Sequence, residues 1–198
     1  MGLAPVKDYV FGLADNLQVQ QRRAAAGFKT ASLSMHMIFT GNPGTGKTMM
    51  ARMMARIYRS LDILSRGQLV EVDRSGLVAG YVGQTAIKTQ KVIEKAMGGV
   101  LFIDEAYALN GRSENDFGQE AIDTILKAME DHRDDLVVIV AGYTELMDKF
   151  IHSNPGLESR FNRFLLFEDY TPEEMFEIFK MRCGKGYVLA PEAEPLVR

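Results

Sequence analysis

From Gly41 to Thr48 the chain reads Gly-Asn-Pro-Gly-Thr-Gly-Lys-Thr, a spacing suited to holding a chain of phosphates. Gly44 and Gly46 let the backbone wrap an anion with no Cβ in the way, so that successive N–H groups point inward as a nest. A helix starting at the end of the run adds the positive end of its dipole. Lys47 is of a length to reach β- and γ-phosphate oxygens, and the Thr48 hydroxyl is a ligand type that Mg²⁺ accepts. The expected nucleotide contacts are therefore Gly41, Asn42, Pro43, Gly44, Thr45, Gly46, Lys47, Thr48 and Met49.

A second group of reactive residues closes the apolar run Val100-Leu101-Phe102-Ile103, which ends in Asp104-Glu105. A buried strand would deliver both acids to the C-terminal edge of a sheet, where open α/β sheets bind their ligands. Asp104 suits Mg²⁺, directly or through water. Glu105, one residue on, is placed to polarise an attacking water as a general base. The two groups together point to Mg²⁺-dependent hydrolysis of a nucleotide.

The elements that must position these groups alternate along the chain. Apolar runs at 35–39, 69–72, 100–103, 136–141 and 164–167 read as strands, and most of them show no polar alternation, as expected of strands covered on both faces. Helical spacing is seen at 4–26, 48–60, 85–96 and 118–131, and 172–182 opens with Thr171 as N-cap, Pro172 in the first turn and Glu173 and Glu174 beside the dipole. In the second helix Met50, Met53, Met54 and Ile57 form the expected apolar stripe, and most of the 12 methionines are expected in the core. Strands alternating with helices require crossover connections, hence a mostly parallel five-stranded sheet between two helical layers.

Composition narrows the function classes. The 198 residues carry 23 basic and 26 acidic side chains, a net charge of −3, which provides no bulk attraction to nucleic acid or to an anionic membrane. Apolar residues at 46% and charged residues at 25% are those of a globular protein, and a chain this long buries about 70% of its unfolded surface without a disulfide or metal. Cys183 is the single cysteine and cannot form an internal disulfide. His36, His132 and His152 are scattered with no ligand spacing and read as structural or surface residues. The longest apolar stretch, 136–141, is far short of the ~20 residues that cross a bilayer. No membrane, no nucleic acid and a cytoplasmic location are the expectations.

The pair Gly41–Thr48 and Val100–Leu109 resembles the AAA+ ATPase module, the large α/β subdomain of that branch of the P-loop NTPases. More narrowly, the chain resembles the group that contains red-type Rubisco activase and stage V sporulation protein K. The residues carrying this are Gly2-Leu3-Ala4-Pro5-Val6-Lys7, the run from Asn115 to Thr124, Ala141-Gly142-Tyr143 and Ser153-Asn154-Pro155-Gly156-Leu157. The resemblance implies ATP and Mg²⁺ as cofactors, a homo-hexameric ring and a protein client that the ring remodels. Alternative classes are a nucleotide-dependent switch or assembly scaffold, and a nucleic-acid-processing loader.

Further residues take roles from the resemblance. Arg160, in Ser159-Arg160-Phe161, matches the arginine finger that reaches the γ-phosphate held by a neighbouring subunit; Arg163 competes for the role, and either could instead pair with Glu158 or Glu168. Tyr81 and Val82, in Gly80-Tyr81-Val82-Gly83, match the aromatic–aliphatic loop with which remodellers grip a polypeptide, the alternative being a Tyr81 folded back on its own domain. The sensor position after the fourth strand, usually asparagine, falls here on Tyr143 or Thr144. Residues 1–170 are expected to form the α/β core and 171–198 the beginning of a helical lid, so that the chain is expected to be a fragment, monomeric and weak in nucleotide affinity on its own.

Overall fold

The computed structural model describes residues 3–29, 34–81, 83–111, 117–186 and 190. Helix α1 (Ala4–Ala25) leads into strand β1 (Met37–Gly41) and helix α2 (Lys47–Ser60), followed by β2 (Leu69–Val72), α3 (Arg74–Leu77), α4 (Gln84–Ala96) and β3 (Gly99–Ile103). Then come a 3₁₀ turn (Ala106–Leu109), α5 (Gly118–Asp131), β4 (Leu136–Gly142), α6 (Thr144–His152), α7 (Pro155–Arg160), β5 (Phe164–Phe167) and α8 (Pro172–Cys183).

The five strands form one sheet in the order β2-β3-β4-β1-β5, and every pairing is parallel. Alternating residues feed two cores. On one side Met37, Phe39, Val100, Phe102, Val137 and Ile139 pack against α1 and α2. On the other, Ile38, Leu101, Ile103, Val138 and Val140 pack against the helices from α3 to α7. The central strands β3 and β4 are buried throughout, which explains their unbroken apolar sequence. Strand β5 lies at an edge and is covered on one face, so Leu165 and Phe167 are buried while Phe164 and Leu166 stay exposed.

Three local expectations need correction. The first strand runs from Met37 to Gly41 and not over 35–39. In α2 the buried stripe is Met50, Ala51, Met54, Ala55 and Tyr58, and Met53 faces solvent. The sequence offered methionines as the stripe, but helical geometry places positions 51, 54, 55 and 58 on one face, and the small alanines let α2 approach the sheet closely. Met49, Met175 and Met181 are likewise exposed. The α8 start conforms to expectation: Thr171 and Glu174 form a reciprocal capping box.

His36, just ahead of β1, ties the sheet together. Its Nδ1 accepts the Val138 backbone N–H at 3.0 Å, and it is buried. Burial first, and the nearby positive charge of Arg160 second, lower its pKa from 6.5 to about 4. The unfolded chain takes up a proton near pH 6.5 that the folded chain refuses until about 4, so this contribution is present above 6.5 and is lost as pH falls through that window. The slope amounts to about 1.4 kcal/mol per pH unit. We expect His36→Gln to flatten the pH dependence of unfolding free energy between pH 6.5 and 4, measured by denaturant titration. An unchanged slope would exclude His36 as the group responsible.

Candidate nucleotide site

The loop between β1 and α2 is shaped by two glycines with left-handed backbone, Gly44 at φ +80° and Gly46 at φ +95°, a conformation that a Cβ would strain. Around Gly44 there is open space where a side chain would begin, the side on which an anion can approach. The Thr45 hydroxyl donates to Asn42 O at 2.8 Å and closes the turn. The Lys47 ammonium donates to Gly41 O at 2.8 Å and Asn42 O at 2.7 Å, bridging the loop from within. Burial lowers the Lys47 pKa from its ordinary value, while Asp104 and Asp169 pull it back up. Met49 sits on the first turn of α2 and is exposed.

Two residues with no motif signature hold this loop from outside. Asn42 Nδ2 donates to Asp169 Oδ2 at 2.8 Å, and the Tyr170 hydroxyl donates to Thr45 O at 3.1 Å. The register explains the meeting, because Gly41 pairs with Phe167 and the two chains leave the sheet side by side. Leu3, Tyr9, Asp169 and Tyr170 also line a cavity beside the loop.

Asp104 and Glu105 emerge at the same sheet edge, with β4 between β3 and β1, so the two strand ends stand about 10 Å apart. The Asp104 N–H donates to Val72 O at 2.8 Å, extending the ladder one step beyond β3. Glu105 then adopts φ +47°, a left-handed conformation that costs a non-glycine residue about 1 kcal/mol or more and concentrates at functional sites. Its N–H donates to Asp104 Oδ1 at 3.0 Å. The Tyr107 hydroxyl has its pKa raised by burial and by the negative charge of Glu105. Tyr107 and Tyr143 lie with ring centroids 6.2 Å apart, so Tyr143 borders the Glu105 neighbourhood from the end of β4, and Thr144 begins α6 beside it.

No group of three His, Cys, Asp or Glu side chains suited to a metal occurs among the described residues. Mg²⁺ keeps several waters and is typically held by one or two protein groups together with substrate phosphates. Thr48 and Asp104 are the residues that would hold it, and the ion would supply charge neutralisation on the phosphates. A neighbour that sequence reading missed is Glu71, whose Oε1 accepts from Thr48 Oγ1 at 3.4 Å.

Arg160 stands elsewhere. It ends α7, immediately ahead of β5, and its backbone carbonyl accepts from Ser34 Oγ at 3.1 Å, near the start of β1. The phosphate loop leaves the opposite end of β1, about 16 Å away along a five-residue strand. The guanidinium pairs with Glu130 at 3.6 Å, and not with Glu158 or Glu168. Arg163 donates instead to the Tyr9 hydroxyl of its own α1 at 3.3 Å.

Tyr81 is 74% exposed on the loop between α3 and α4. The base of that loop is fastened by α4: Lys88 Nζ donates to Ser75 O and Val78 O, the Thr89 hydroxyl donates to Leu77 O, and Thr85 Oγ1 accepts the Ala79 N–H. Tyr81 does not fold back on its domain. Val82 lies outside the described residues, as do Asn115 and Asp116 in the stretch that carried part of the family resemblance.

The family described as ATPase family associated with various cellular activities (AAA) matches residues 37–169, the span from β1 to the residues that strap the phosphate loop. The chain belongs to the AAA family. Among AAA relatives, protein CfxQ of Xanthobacter flavus is 49% identical over 196 residues, covering 98% of this chain and 62% of that protein. Stage V sporulation protein K of Bacillus subtilis is 48% identical over 177 residues, 89% of this chain and 55% of that protein. The chloroplastic ribulose bisphosphate carboxylase/oxygenase activase of Cyanidioschyzon merolae is 48% identical over 196 residues, 98% of this chain and 67% of that protein. The chain thus spans a little over half to two thirds of the length of these relatives. The crystal structure of the FIGL-1 AAA domain in complex with ADP superposes with a TM-score of 0.67 at 18% identity, over 98% of this chain and 62% of that one, a likeness of AAA fold. No helix among the described residues is long and apolar enough to cross a membrane.

Proposed function

We propose that this chain is the ATP-hydrolysing module of a homo-hexameric AAA ring that uses ATP and Mg²⁺ to remodel a protein client. The observation that carries the reading is the division of the site: the phosphate loop, Asp104 and Glu105 occupy one edge of the sheet, and Arg160 the other. The charges that phosphoryl transfer needs then come together only across two copies.

In this reading Lys47 and the loop N–H groups hold the phosphates, and the adenine base takes the cavity beside Leu3 and Tyr170. Glu105 accepts a proton from a water whose oxygen bonds to the γ-phosphorus, while the bond from that phosphorus to the β-phosphate oxygen breaks. Arg160 of a neighbouring copy stabilises the charge that develops. Tyr143 or Thr144, at the end of β4, senses the γ-phosphate. Tyr81, exposed on a loop whose base is pinned, supports a protein client: an aromatic ring grips an extended polypeptide by packing, without reading its sequence. One relative is named as an activase of another enzyme, which is the kind of client such a loop serves. Residues 171–198 would begin a helical lid over this site.

The test uses the full chain carrying Glu105→Gln, loaded with ATP so that the client is held. We expect Tyr81→Ala added to this background to lower retained client by at least about tenfold, in line with the loss of a central aromatic anchor, and Tyr81→Phe to keep it. Equal retention by Tyr81→Ala would overturn the gripping role.

A further inference from the structure

A hydroxyl that ligates a cation offers a lone pair to the ion and must give its single hydrogen to some other acceptor. For Thr48 that acceptor is on the page: Glu71 Oε1, at 3.4 Å. The contact is long for an O–H···O bond, as catalytic hydrogen bonds often are before the ligand is bound.

The sheet explains why Glu71 arrives there. Leu69 packs with the core on the α1–α2 side, and alternation along β2 sends Glu71 to the same side. Glu71 is paired with Phe102 of β3, and Phe102 belongs to that same core. Asp104, two residues beyond Phe102, continues on this face, with its N–H on Val72 O at 2.8 Å. Adjacent strands therefore bring Glu71 and Asp104 to the side of the sheet where the first turn of α2 presents Thr48. The contact that Glu71 makes at this site is with the Thr48 hydroxyl. Its route to the site is through the threonine hydroxyl.

We infer that Glu71 is a positioning residue for the Mg²⁺ ligand Thr48: its carboxylate takes the hydroxyl hydrogen and so turns the oxygen lone pair toward the ion. The inference rests on the proposed assignment of Thr48 and Asp104 as the Mg²⁺ ligands. Partners of this kind, one step removed from the metal, change its affinity by about 10–100-fold when removed.

The experiment measures Mn²⁺ binding to the full chain saturated with ADP, read from the free-ion electron paramagnetic resonance signal and so independent of turnover. We expect Glu71→Ala to weaken Mn²⁺ binding about tenfold, and Glu71→Gln, whose amide oxygen still accepts from Thr48, to stay within about threefold of wild type. Adding Glu71→Ala to Thr48→Ala should cause no further loss, because the residue acts through the hydroxyl. Wild-type affinity in Glu71→Ala, or an equal loss in Glu71→Gln, overturns the inference. If Thr48→Ala itself binds Mn²⁺ as wild type does, the assignment of the metal site falls instead.

Discussion

Replacing Glu105 by glutamine is expected to lower ATP turnover by about 10²–10⁴-fold and to leave nucleotide bound. Glutamine keeps the shape of the side chain and its capacity to orient a water, but it cannot accept the proton that water must lose as it attacks phosphorus. The backbone tolerates the exchange, since both residues carry the same Cβ at φ +47°. The Asp104 carboxylate keeps its bond to the residue-105 N–H, and the lysine and glycines of the phosphate loop are untouched. Fluorescent-nucleotide titration reports binding and a phosphate-release assay reports turnover. Turnover within tenfold of wild type would sink the general-base assignment. A parallel loss of nucleotide binding would mean that Glu105 supports the site and does not act in the reaction.

The second large effect is at Arg160. We expect Arg160→Ala to lower turnover by about 10³–10⁵-fold, the range for an arginine supplied to a neighbour's γ-phosphate. Fold stability should change little, because the 3.6 Å pair with Glu130 joins side chains that are 31% and 58% exposed, and such pairs are worth about 1 kcal/mol or less. Mixing decides the geometry. A ring containing Arg160→Ala and Glu105→Gln copies has positions where an intact Glu105 faces a neighbour's intact Arg160, so two inactive proteins should regain activity together. An arginine serving its own site would leave the mixture dead, whereas Arg163 in the role, although held by Tyr9 of its own chain, would leave Arg160→Ala active by itself.

Much of the site was legible because its requirements are local. Eight residues from Gly41 to Thr48 encode a left-handed turn, a cation and a hydroxyl ligand, and each demand falls on a particular residue type. The doubly covered strands were legible for the same reason, since β3 and β4 must be apolar on both faces to be buried between two helical layers. The short helices were not. Helix α3 has four residues and α7 six, too few for a 3.6-residue period to stand out, although Asp73 and Asn154 cap them through the Gly76 and Gly156 N–H groups. Asp169, Tyr170 and Glu71 carried no signal at all. Each matters through a partner far away in the chain: Asp169 through Asn42, Tyr170 through Thr45 and Glu71 through Thr48.

By itself the sequence determined which chemical groups are present and what each is suited to do: a backbone shaped to accept phosphate, a lysine, a hydroxyl of a type that Mg²⁺ accepts and two acids in tandem. It did so because those properties depend on residue type and on backbone geometry over a few residues. Only the tertiary structure decided where they stand relative to one another. The order β2-β3-β4-β1-β5 gathers the loop, Asp104 and Glu105 at one edge, straps the loop to the residues after β5 and leaves Arg160 at the other edge. Strand order is set by pairings between segments far apart in sequence, where many short apolar runs are interchangeable as partners until the packed helices and sheet select one arrangement.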